Sequence, residues 1–100
     1  LIHGTFHYPA RFGGNADTAS KTIPNVSTEF HVYKTIWSPE SISIYVDDTL
    51  IHRLANTASL PFNSSFFLIL NVAMGGNLGG NIDPAFTQST LEVDYVKVYQ

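Results

Sequence analysis

Apolar and polar positions alternate with a period near two along most of the 100-residue chain, and short runs rich in β-branched and aromatic types recur between turn-forming clusters. Residues 29–37 (EFHVYKTIW), 41–46 (SISIYV), 49–54 (TLIHRL), 66–73 (FFLILNVA) and 91–99 (LEVDYVKVY) read as strands, and the opening LIHGTFHY makes about six. FGGNADTASK, WSPES, SLPFNSS and GGNLGGNIDP read as turns and loops. No 3.6-residue apolar stripe, internal repeat or low-complexity tract interrupts this all-β pattern.

Successive strand side chains point to opposite faces, so Ile42, Ile44 and Val46 form a core face while Ser41, Ser43 and Tyr45 form a partly wet one. In 66–73 both faces are apolar until Asn71, which shares its side with Phe67, Ile69 and Ala73; this predicts a central strand in a two-layer stack, interrupted by an amide. VDDTL predicts a tight hairpin around Asp47 and Asp48, with glycine better suited than Asp48 to the second position. The glycines after Met74 suit a departure from a buried strand at positive φ.

A chain of this length holds one domain at most, with a modest core. Charged residues are 13% and hydrophobic residues 44%, a globular balance. The net charge of −3 with five Lys plus Arg offers no basic stripe, which argues against nucleic acid as a partner. Cysteine is absent, so disulfides, thiolate metal sites and cysteine nucleophiles drop out. No apolar stretch reaches the ~20 residues of a membrane span.

Candidate chemistry is sparse. Glu92 and Asp94 share a strand face, and a retaining glycosidase needs two carboxyls ~5–5.5 Å apart. Val96 and Val98 continue that face as core, however, so a structural or ion-binding role is the expected one. His3 and His7, four apart on a strand, are ~13 Å apart at ~3.3 Å per residue and cannot share a zinc ion. His31 and His52 form no metal motif, and each histidine is expected at the surface or hydrogen-bonded in the core. The glycines of GGNLGG lack the lysine of a phosphate loop. Trp37, the sole tryptophan, reads as a buried ring with a satisfied N–H more readily than as a sugar platform. Asn25-Val26-Ser27 and Asn63-Ser64-Ser65 are glycosylation sequons.

Four ordered blocks, GTFHYP, FHVYKTIWSPESISIYVDDTLIHRL, PFNSSFFLILNVAMGGNLGG and LEVDYVKVYQ, together resemble the second half of a family sixteen glycoside hydrolase of the laminarinase, or endo-β-1,3-glucanase, type. The resemblance implies a concanavalin-like β-jelly-roll sandwich of two curved antiparallel sheets, incomplete in this chain, with residues 1–100 as the C-terminal portion of a single domain. It implies a secreted retaining enzyme with β-glucan lying along the concave sheet. The family's catalytic strand, Glu-x-Asp-x-x-Glu or Glu-x-Asp-x-Glu, lies upstream of the Gly-Thr-x-His-Tyr block, here residues 4–8. The nucleophile and acid/base are therefore expected before Leu1.

By the same resemblance His7 matches a histidine beside the catalytic carboxylates, in a supporting role. Asn71 matches an asparagine suited to a sugar hydroxyl, and Ala73 stands where lichenases carry an aromatic ring, which favours β-1,3-glucan over mixed-linkage glucan. Asp94 matches a carboxylate that helps hold a structural calcium. Three classes stay open: a portion of an enzyme, a noncatalytic glucan-binding module of the same fold, and a separated half that needs the missing N-terminal half or another complementary chain. Unpaired strand edges predict that the chain by itself associates.

Overall fold

The computed structural model describes all of residues 1–100 and divides into two units, residues 1–65 and 66–100. Five strands lie in the first: β1 (Ile2–Phe6), β2 (Asp17–Lys21), β3 (Tyr33–Trp37), β4 (Ser41–Val46) and β5 (Thr49–Ala55). They make two antiparallel sheets, β1-β2 and β3-β4-β5. The all-β, two-sheet architecture follows the jelly-roll expectation, and five strands leave that sandwich incomplete.

β5 brings the sheets together, because it packs against both β1 and β2. Phe6, Ile42, Val46 and Ile51 are the buried apolar residues. Gly4 sits at this crossing: a Cβ there would lie 3.1 Å from the His52 Cβ and 3.2 Å from the Ile51 Cγ2. Absence of a side chain at residue 4 is thus what lets β1 lie against β5.

The β4-β5 hairpin forms where the VDDTL pattern places it, with Val46 opposite Thr49. The positive φ of 51° falls on Asp47 instead of Asp48. Asp47 is fixed there because its Oδ1 accepts the Val32 N–H at 3.0 Å and its own N–H donates to the Val32 carbonyl at 2.7 Å. Aspartate tolerates this region better than most residues, so no glycine is required at Asp48.

Several expectations are corrected. Residues 12–21, read as a turn, contain all of β2, whose residues pair one by one with those of β1. β3 begins only at Tyr33, because the Thr28 and Glu29 N–H groups fold back onto the Asn25 carbonyl. The strand ending at Phe6 leaves His7 outside it, so His3 and His7 do not share a strand face. Ser43, expected on the wet face, is buried, and its Oγ accepts a hydrogen bond from the Arg53 Nε at 2.8 Å.

The second unit has a single helical turn, Gly76–Gly79, with positive φ at Gly75, Gly76 and Gly80. Residues 66–73 and 91–99 carry no strand ladder. A strand is held by a neighbour's N–H and C=O groups, and no segment of these 100 residues supplies them there. The expected central position of 66–73 therefore fails; Phe67 is 83% and Ile69 71% exposed.

Candidate functional site

The polar side chains that the first unit draws together converge on Asp17. The bend after β1 is closed by reciprocal backbone hydrogen bonds between Tyr8 and Arg11 at 3.0 and 2.8 Å, with Ala10 at a φ of 67°. This bend carries Tyr8 back over β2, where the phenol donates to the Asp17 Oδ2 at 2.9 Å. From β5, the His52 Nε2 donates to the Asp17 Oδ1, also at 2.9 Å. The Arg11 guanidinium lies 3.9 Å from the same oxygen.

The hydrogen bond from His52, followed by that from Tyr8, holds the Asp17 carboxyl below its ordinary pKa. The Tyr8 phenol is raised, first by the hydrogen bond it gives to Asp17 and then by burial. Phe6 stacks obliquely on His52 at 5.0 Å, and Phe62 meets Phe6 and Tyr8 edge-on at 6.1 and 6.2 Å. The His52 Nε2 and the Tyr8 hydroxyl are both engaged by Asp17, so the arrangement suits a fixed anionic clasp between the sheets.

Beside Phe62 the surface opens into a pocket of about 310 Å³. Trp37, Pro39 and Phe62 give it apolar walls, while Ser38, Asn56, Asn63 and Ser64 give it polar ones. The indole Nε1 donates to the Phe62 carbonyl at 2.8 Å. Trp37 has its N–H satisfied as expected, yet it is 47% exposed, and every other residue of the edge strand β3 is exposed too.

His7 belongs to the first unit and is exposed, directly between the buried Phe6 and the clasped Tyr8. Asn71, Ala73 and Asp94 belong to the second unit and are exposed. The chain gathers no group of three or more His, Cys, Asp or Glu side chains able to hold a metal ion. Asp94 thus offers one carboxylate, whereas calcium takes about six to eight oxygens; these residues by themselves do not fit a calcium site. Asp17 was missed because β2 is mostly polar and was read as a turn, and Tyr8 and Arg11 because they lie in the bend beyond β1. The two-residue alternation of DTASK was the available signal.

The profile of "Glycosyl hydrolases family 16" matches residues 2–97. A "Beta-glucanase" of Rhodothermus marinus is 38% identical across 100% of this chain and 40% of its own length. A "Keratan-sulfate endo-1,4-beta-galactosidase" of Sphingobacterium multivorum is 35% identical across 100% of the chain and 25% of its own. A "Glucan endo-1,3-beta-glucosidase" of Cryptopygus antarcticus is 34% identical across 96% of the chain and 43% of its own. The chain therefore spans less than half the length of these relatives. No solved structure matches it significantly. The profile covers nearly every residue, including both sheets and the second unit, and on that ground the chain belongs to glycosyl hydrolase family 16.

Proposed function

We propose that this chain is the C-terminal portion of a secreted, retaining endo-β-1,3-glucanase of the laminarinase type, supplying substrate-binding surface and His7 but not the catalytic carboxylates. The observation that carries this reading is the family match over residues 2–97, together with two relatives whose names specify β-glucan or its 1,3 linkage. In a retaining hydrolysis one carboxylate attacks the anomeric carbon while a second protonates the leaving oxygen; water then releases the sugar, activated by that second group. Both carboxylates come from sequence outside these residues. His7 donates a hydrogen bond to one of them or to a sugar hydroxyl. The Asn71 amide donates to one hydroxyl and accepts from another, and Ala73 keeps the rim of the groove low for a β-1,3-linked chain.

Asp94 contributes one ligand to a structural calcium in this reading, with the remaining oxygens drawn from the complementary half of the domain. That half is the partner proposed for the exposed apolar segments of the second unit.

The experiment is a side-by-side assay of the chain joined to its upstream sequence, on laminarin and on lichenan. Faster release of reducing ends from laminarin is expected. Much faster cutting of lichenan overturns the linkage preference. Binding without release of sugar overturns the hydrolase and favours a glucan-binding module.

A further inference from the structure

We infer that Asp17 is a positioning residue for His7: through Tyr8 and Arg11 it fixes the bend that carries this histidine. The inference rests on the supporting role proposed for His7 and adds the residue that holds it in place.

His7 stands where β1 gives way to the bend. Before it, Phe6 is 6% exposed and lies opposite Asp17 in the β1-β2 ladder. After it, Tyr8 closes the bend with Arg11 through two backbone hydrogen bonds. The His7 side chain stays exposed between these anchors, so its place follows from where the backbone on either side is held. Asp17 acts on both sides. Its backbone is paired with Phe6, and its carboxylate accepts the Tyr8 phenol at 2.9 Å and lies 3.9 Å from the Arg11 guanidinium.

The bend does not hold itself. Pro9 and Ala10 are its central residues, and Ala10 has a φ of 67°, a region that alanine seldom enters. Such a conformation persists where the surrounding contacts over-determine it. Here those contacts are the two ties to Asp17, the edge-on meeting of Tyr8 with Phe62 at 6.2 Å, and the bond from the Asn15 Nδ2 to the Ala10 carbonyl at 2.9 Å. His52 donates to the second Asp17 oxygen from β5 and so orients the carboxylate. Loss of that carboxylate releases Tyr8 and Arg11 at once and lets Ala10 relax, and His7 moves with them.

The test uses the chain joined to its upstream sequence, with histidine labelled selectively with 15N and the His7 amide assigned by His7→Ala. A heteronuclear NOE typical of rigid backbone is expected at His7 in the parent. Asp17→Ala lowers it and leaves the His31 amide, on the approach to β3, unmoved. Asp17→Asn keeps most of the parent value, because its amide can donate to the Tyr8 hydroxyl while its carbonyl accepts from His52. Tyr8→Phe, which leaves Asp17 and His52 paired, lowers the His7 value by a smaller amount and decides the matter if Asp17→Ala does not fold. On laminarin, Asp17→Ala lowers kcat by about tenfold or more with KM unchanged, and it causes no further loss in a His7→Ala background. An unmoved His7 amide in Asp17→Ala and Tyr8→Phe, an equal drop at His31, an Asp17→Asn value as low as that of Asp17→Ala, or a full additional loss of kcat in the His7→Ala background each overturns the inference. Absence of sugar release by the parent overturns the hydrolase reading alone, and the amide comparison then decides whether Asp17 positions His7.

Discussion

His31 and Asp47, 16 residues apart, are joined at 2.8 Å between the imidazole Nδ1 and the carboxylate Oδ2. The other ring nitrogen, Nε2, donates to the Asn25 carbonyl at 3.1 Å. Both ring nitrogens thus face acceptors, and only the doubly protonated imidazolium satisfies both. The contact anchors the approach to β3 on the β4-β5 hairpin.

This contact predicts a pH window for stability. The Asp47 hydrogen bond, then the Asn25 carbonyl, raises the His31 pKa above 6.5, so its contribution is complete below 6.5 and disappears as pH rises through the folded value. The His31 hydrogen bond, then the Val32 N–H, lowers the Asp47 pKa below 3.8, so its contribution is complete above 3.8 and disappears as pH falls through the folded value. The pair is fully engaged between these limits. An NMR titration should place the His31 midpoint above the ordinary value, and Asp47→Ala should lower it, with the Asn25 carbonyl still in place; an unmoved midpoint in the variant contradicts the assignment.

Gly4→Ala should loosen the junction of the two sheets. The added methyl meets the His52 Cβ at 3.1 Å and the Ile51 Cγ2 at 3.2 Å, and neither atom is the far end of a flexible side chain. Overpacking of this kind costs about 1–3 kcal/mol. The urea midpoint followed by far-UV circular dichroism checks it, and a variant as stable as the parent shows that β1 can shift without penalty.

Asp17→Ala should remove the clasp between β2 and β5. Both the His52 Nε2 and the Tyr8 hydroxyl lose their acceptor, at a cost of about 1–2 kcal/mol with water as a partial substitute. Tyr8→Phe removes only one donor and should cost less. Because the Asp17 pKa is lowered from 3.8, this stabilisation is present above 3.8 and is lost as pH falls through the folded value. Equal midpoints for Asp17→Ala and the parent at pH 6 count against the clasp.

The second unit should drive association. Phe67, Leu68, Ile69 and Leu70 are 83, 68, 71 and 61% exposed in succession, an apolar run that water solvates poorly. Sedimentation of the chain alone is expected to show dimers or larger species, with binding of a hydrophobic dye such as ANS. Addition of the proposed complementary half should suppress both. A monodisperse monomer with a cooperative melt is the contrary result.

Legibility from sequence followed local chemistry. The β4-β5 hairpin was readable because alternation and the Asp-Asp turn agree within a dozen residues, and β1 was readable from its aromatic and β-branched content. β2 was not, because Asp17, Ala19 and Lys21 have weak strand preferences and owe their pairing to β1. Residues 66–73 show the converse: apolar content marks them strongly, yet it cannot supply the backbone partner that a strand needs. The clasp on Asp17 depends on which residues three separate elements bring together, and no spacing along the chain encodes that. His7, Asn71, Ala73 and Asp94 came from family resemblance, which speaks of a larger assembly than these residues form.

The 35 residues separating Asp17 from His52 also bear on the order in which the first unit assembles. The β4-β5 connection closes over only Asp47 and Asp48, whereas joining β2 to β5 encloses roughly four doublings more chain, at about 0.6 kcal/mol of entropy each. The β3-β4-β5 meander accordingly nucleates first and β1-β2 docks late, so substitutions at Asp17 should accelerate unfolding while leaving the refolding rate almost untouched.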